Sequence, residues 1–123
     1  MLAGIDIIEI ERFRQTVERT PGILGRVFTQ AELDYCYRFS NPYPSLAARF
    51  AAKEAVKKLH NGFMQGVRLQ DIEVLNAPDG RPYVHLYGRA AEFHCASGLS
   101  SIGLSLSHSL QQAVAMAVVR KGE

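Results

Sequence analysis

No apolar stretch in this sequence approaches the roughly 18 residues of a membrane-spanning helix. The opening segment, Met1 to Ile10, carries acids from Asp6 onward. It lacks the basic start and long apolar centre of a secretory signal. Cysteine is scarce: Cys36 and Cys95 are the only two, and neither belongs to a CxxC pair or a Cys/His cluster. That spacing argues against zinc, and two isolated thiols fit a reducing, cytoplasmic setting. Internal repeats, low-complexity tracts and Gly/Ser linkers are also missing, so residues 1–123 are expected to form a single domain. The formal net charge is only +2. So mild a bias suits an anionic cofactor or an acidic protein and is too weak to argue for nucleic acid. A chain this short buries a modest core, and a second subunit is a reasonable source of further walls for a large ligand.

What the chain does contain is clear periodicity. Leu2 to Ile8 reads as a buried strand. From Ile10 the spacing turns helical, with Ile10, Phe13 and Val17 on one face, and Pro21-Gly22 ends it. Thr29 followed by Glu32 is a capping-box pattern that predicts a helix from Thr29 to about Arg38. Ser40 to Pro44 reads as a loop. A strong helix follows from Ser45 to about His60, rich in Ala, Leu, Lys and Glu. Ile72–Leu75 and Tyr83–Tyr87 flank the turn Asn76-Ala77-Pro78-Asp79-Gly80 as a hairpin. Gly88 to Ser97 reads as a short helix. Ile102–Ser107 and Ala113–Val119 form a second hairpin. The expected fold is α+β, with a mostly antiparallel sheet packed against a long central helix.

Three features carry chemistry. Asp6 interrupts the apolar run Ala3-Gly4-Ile5-Asp6-Ile7-Ile8. An ionised carboxylate inside such a strand needs a partner, which can be a local cation, a helix cap or a metal. The segment Ala48 to Lys58 distributes Arg49, Lys53, Glu54, Lys57 and Lys58 around more than one side of a helix. Glu–Lys pairs at i, i+4 would make it an ordinary solvated helix. Leu104-Ser105-Leu106-Ser107-His108-Ser109 ends a strand with polar groups at a turn. Adjacent strand residues point to opposite faces, so Ser107 and His108 are poorly placed as a nucleophile–base pair, and no GxSxG elbow is present. His108 suits a phosphate donor better.

Taken in order, these segments resemble the phosphopantetheinyl transferases, in particular the small type that acts on acyl carrier proteins. Gly4-Ile5-Asp6 with Arg12 is similar to the family's opening GxDxxxxxR. Phe28-Thr29 with Glu32 is similar to FTxxE. Phe50-Ala51-Ala52-Lys53-Glu54 with Lys58 matches (W/F)xxKExxxK. Asp79-Gly80-Arg81-Pro82 resembles the central hairpin turn, and Leu106-Ser107-His108-Ser109 the C-terminal signature. Two positions depart from the pattern: Leu59-His60-Asn61-Gly62 stands where a Gly-Thr-Gly is frequent, and Ile8 stands where some double-length relatives carry a third acid.

The resemblance implies transfer of 4′-phosphopantetheine from coenzyme A to a serine of apo acyl carrier protein, in the service of fatty acid biosynthesis. It implies Mg²⁺ held by Asp6 and Glu54, and Arg49, Lys58 and His108 near the cofactor's phosphates. Asp6, Glu54 and Lys58 would form the catalytic group. The base that takes the serine proton stays open between Lys58, Glu54 and a water on the metal. Arg12, with Arg14 beside it, would face the acidic carrier protein. A homotrimer with clefts between subunits is implied as well. Two other readings are a Mg²⁺-dependent phosphohydrolase using the same acids and a non-catalytic basic binding module.

Overall fold

The computed structural model describes residues 1–122. Strand β1 (Leu2–Glu9) leads into helix α1 (Ile10–Arg19), and three further helices follow: α2 (Ile23–Val27), α3 (Gln30–Cys36) and α4 (Tyr43–Lys57). Strands β2 (Ile72–Asn76) and β3 (Pro82–Leu86), helix α5 (Gly88–Ser97), and strands β4 (Gly103–His108) and β5 (Gln112–Val119) complete the chain. Two antiparallel sheets result, one of three strands in the order β1-β5-β4 and one formed by the β2-β3 hairpin. The α+β expectation with a central helix is met.

Helix α4 lies across the inner face of the three-stranded sheet. The contact is alanine on alanine: Ala47, Ala48, Ala51, Ala52 and Ala55 of the helix are buried, and so are Ala113, Ala115 and Ala117 of β5. Small side chains give up transfer energy per residue but let the two backbones come close. Gly4 takes this to its limit, since a Cβ there would lie 2.0 Å from the Ala55 carbonyl oxygen. Larger side chains, among them Phe63, Ile72, Val74 and Val119, fill the space between α4 and the two sheets.

The differences from the sequence reading have local causes. β1 is not buried on both sides: Ile5 and Ile7 are 60% and 59% exposed, while Gly4 on the alternate face is buried. α4 starts at Tyr43 rather than Ser45, because Pro44 falls in the first turn, where a missing N–H breaks no helical bond. It ends before His60, whose Nδ1 instead accepts a bond from the Gly62 N–H at 2.9 Å and opens a separate 3₁₀ turn. The Thr29–Glu32 capping box is present in both directions, yet α3 closes at Cys36, short of Arg38. The five-residue α2 had no periodic signal to announce it.

Candidate active site

Asp6 sits in the middle of β1, opposite Ala115, and projects to the inner face beside α4. Lys58, the residue that caps α4, donates to Asp6 Oδ1 at 2.9 Å and to the Ile5 carbonyl at 3.0 Å. The other carboxylate oxygen, Oδ2, is buried with no hydrogen-bond partner among the described residues. Half-buried Glu54 precedes Lys58 by one turn on the same flank of α4. The Glu54–Lys58 pair expected from i, i+4 spacing is absent among the described residues, because β1 supplies the partner instead. No cluster of three or more His, Cys, Asp or Glu converges among the described residues. A metal here would therefore be held by carboxylates such as Asp6 and Glu54, with its remaining ligands from water or phosphate. That donor set suits Mg²⁺, and an orphaned, buried carboxylate oxygen fits a cation as its partner.

Arg49 and His108 meet elsewhere. Both line a cleft of about 500 Å³ whose walls include Tyr35, Ser45, Asn76 and Leu106. Arg49 is 3% exposed. Its Nη2 donates to Asn76 Oδ1 and its Nη1 to Ser45 Oγ at 3.3 Å. The guanidinium carbon lies 4.2 Å from the centre of the Tyr35 ring. Nε is buried without a partner, and no carboxylate neutralises the group among the described residues. A buried cation with donors to spare is poised for an anion. His108 is exposed at the end of β4.

The nine positions from Arg49 to Lys58 turn the helix by about half a revolution beyond whole turns. The two residues thus occupy opposite flanks of α4. Asp6 and His108 likewise belong to β1 and β4, the two edges of the sheet. One chain assembles two half-sites: Asp6 with Lys58 on one side, Arg49 with His108 on the other.

Lys53 behaves unlike a solvated helix lysine. It is fully buried, pairs with Glu32 Oε1 of α3 at 2.8 Å, and donates to the carbonyls of Leu69 and Ile72. Burial pushes its ammonium down from the ordinary lysine range, against the pull of Glu32. Glu32 also accepts from the Thr29 and Val74 N–H groups. This network fastens α4 to α3 and β2, and so holds Glu54 and Arg49 in place on either side of it.

Arg12 projects at the rim of an apolar cleft of about 410 Å³, walled by Ile8, Phe13, Val17, Phe28 and Phe50. It forms no ion pair among the described residues. Arg14 is different: it is tied to Glu11 at 2.9 Å, which lowers the Glu11 carboxyl and raises the guanidinium. Arg12 is thus an exposed cation with no ion-pair partner among the described residues, and exposed Glu9 lines the same cleft. The apolar cleft beside it was not foreseen, although Phe13 and Phe50 already stood out as apolar positions on two helices.

Known proteins are similar to this chain in sequence and in fold. A holo-[acyl-carrier-protein] synthase of Moorella thermoacetica is 47% identical over 117 residues, spanning 95% of this chain and 91% of the relative. One from Chlamydia felis is 47% identical over 94% of this chain and 93% of its own. Among solved structures, the Helicobacter pylori holo-[acyl-carrier-protein] synthase in complex with coenzyme A superposes with a TM-score of 0.79 at 27% identity, covering 97% of this chain and all of that one. The family model of the 4′-phosphopantetheinyl transferase superfamily matches residues 3–119. With residues 3–119 matched by the family model and nearly its whole length aligned with these relatives, the chain belongs to the 4′-phosphopantetheinyl transferase superfamily.

Proposed function

We propose that this protein transfers 4′-phosphopantetheine from coenzyme A to a serine of apo acyl carrier protein, as a holo-[acyl-carrier-protein] synthase serving fatty acid biosynthesis. The observation that carries the reading is the pair of half-sites, a lysine-paired carboxylate with one orphaned oxygen and a buried, uncompensated arginine that shares a cleft with a histidine. Together they supply what a diphosphate needs.

In the reaction a serine oxygen bonds to the β-phosphorus of the coenzyme A pyrophosphate. The bond to the leaving oxygen of adenosine 3′,5′-bisphosphate breaks, and the serine proton passes to a base. Phosphoryl transfer of this type asks the protein for alignment and charge neutralisation. Mg²⁺ bound by Asp6 and Glu54 would supply charge compensation on the pyrophosphate. Lys58 approaches as a hydrogen-bond donor, to Asp6 and a backbone carbonyl, and so brings positive charge rather than a lone pair. That leaves Glu54 the better of the two side chains for accepting the proton. Arg49 and His108 hold the phosphate end of the cofactor against the Asn76–Gly80 turn. Arg12 meets the acidic carrier protein at the mouth of the apolar cleft.

The two half-sites would close into one between neighbouring subunits of a homotrimer. Supporting this, the outer face of the three-stranded sheet carries Ile5 and Ile7 on β1 and Met116 on β5, all largely exposed. Ile5 pairs directly with Met116, so the exposed apolar groups are contiguous. Such a patch marks an interaction surface. No helix among the described residues is long and apolar enough to cross a membrane. The two unpaired cysteines agree with a cytoplasmic location.

The test is to incubate the protein with coenzyme A, Mg²⁺ and an apo carrier protein and to weigh the carrier by mass spectrometry. The expected product carries one phosphopantetheine. Asp6→Ala and Glu54→Ala should each abolish the mass gain while circular dichroism shows the fold unchanged. Hydrolysis of coenzyme A with no gain on the carrier would replace this reading with a phosphohydrolase.

A further inference from the structure

Lys58 is held close to β1 by the backbone. A Cβ on Gly4 would lie 3.1 Å from the Cβ of Lys58, so the root of the lysine rests against the strand. Its ammonium then runs along β1 to Asp6 Oδ1 and the Ile5 carbonyl. The resulting pair is asymmetric in two respects. Lys58 engages only one carboxylate oxygen and leaves the buried Oδ2 unpartnered. The Lys58 side chain is 47% exposed and that of Asp6 only 16%. The carboxylate is fixed by its strand, while the ammonium, at the end of a flexible stem, is free to swing into solvent.

We propose that Lys58 is an internal counter-ion that competes with the divalent cation for Asp6. It sets the cation affinity of the free protein, and it is released toward the cofactor's phosphates when the cation binds. This rests on the reading of Asp6 as a cation ligand. The competition makes the protein a weak cation binder by itself and couples the cation to the diphosphate. A cation on Asp6 frees Lys58, and a phosphate that engages Lys58 frees Asp6. Coupling of this kind is reciprocal, so each ligand tightens the other by the same factor.

Direct binding of Mn²⁺ to the protein without coenzyme A, followed by electron paramagnetic resonance, tests the idea without any turnover. Lys58→Met should bind Mn²⁺ about fivefold more tightly than wild type, the factor set by losing one partly exposed ion pair. Lys58→Arg, which keeps the bond to Asp6, should stay near wild type. Lys57→Met removes a neighbouring charge that has no bond to Asp6 and should also leave the affinity near wild type. Coenzyme A should tighten Mn²⁺ binding more in wild type than in Lys58→Met. Lys58→Gln gives a second reading if the methionine variant folds poorly. Affinity unchanged or weakened in both Lys58→Met and Lys58→Gln overturns the proposal. An equal gain in Lys57→Met overturns it too, because the effect would then be the general field of the helix. If Asp6→Asn binds Mn²⁺ as wild type does, the assignment of Asp6 to the cation is itself wrong, and that result is separable from the others.

Discussion

Arg49 and Lys53 stand one turn apart on the same helix, both buried, both cationic, yet their circumstances are opposite. Lys53 has a carboxylate at 2.8 Å and two backbone carbonyls, and Arg49 has only neutral partners and an aromatic face. Full neutralisation makes Lys53 a fastening, and incomplete neutralisation suits Arg49 to the phosphate-binding role proposed for it. Lys53→Met therefore strands the Glu32 carboxylate in the interior and should cost about 3–5 kcal/mol in urea denaturation. Adding Glu32→Gln should recover much of that loss, since an uncharged amide oxygen still accepts one backbone N–H. A double variant as unstable as the single one would show that the pair matters for packing rather than charge. Local spacing in the sequence suggests ion pairs within α4. The actual partners lie in α3 for Lys53 and in β1 for Lys58, 52 residues away. Asp6 was legible as an anomaly because it is a charge in an apolar run. The identity of its partner was not, because pairing across the fold leaves no trace in the spacing.

At the scale of elements, the join between α4 and β1 decides whether the proposed catalytic groups align. The capping box, the hairpin turns and the α5 boundaries were all visible in short-range pattern, since each depends on a few adjacent residues. The close approach of α4 to β1 was only half visible, as a small-residue helix face suited to close packing and a glycine in the strand whose purpose the spacing does not give. The reason is the Ala55 carbonyl, which occupies the space a Gly4 side chain would need. Gly4→Ala sets a methyl group against rigid backbone, so α4 must lift from the sheet. Overpacking of this kind typically costs about 1–3 kcal/mol, and contact with backbone puts Gly4→Ala at the upper end. Transfer should fall far more than the stability loss explains, because Lys58 and Glu54 move with the helix. Thermal melts and kcat measured on the same folded sample would separate the two effects. A stable Gly4→Ala protein with wild-type kcat would mean that the helix position is not critical.

For the whole molecule, the question is how two half-sites on opposite flanks of α4 serve one substrate. Met116 lies on the outer sheet face beside Ile5, 44% exposed, on the side of the sheet away from α4. Met116→Asp should convert the proposed homotrimer to monomers by light scattering and reduce transfer in proportion, with the monomer still folded. An active monomer would place the complete site within one chain. Arg12 belongs to the same scale, because the partner proposed for it is another protein. It stands at the rim of an apolar cleft, unpaired among the described residues, while Arg14 beside it is compensated by Glu11. An unpaired cation at the mouth of an apolar recess steers an acidic partner and orients the apolar contact behind it. Arg12→Glu should raise the KM for the carrier protein by about tenfold or more, the result of replacing attraction with repulsion at a contact. The KM for coenzyme A should hardly change, because Arg12 touches neither half-site. Added salt should weaken the wild type more than Arg12→Ala, since screening removes what the variant has already lost. If Arg12→Ala instead impairs coenzyme A and spares the carrier, the rim of this cleft belongs to the cofactor, and the carrier must dock on another face.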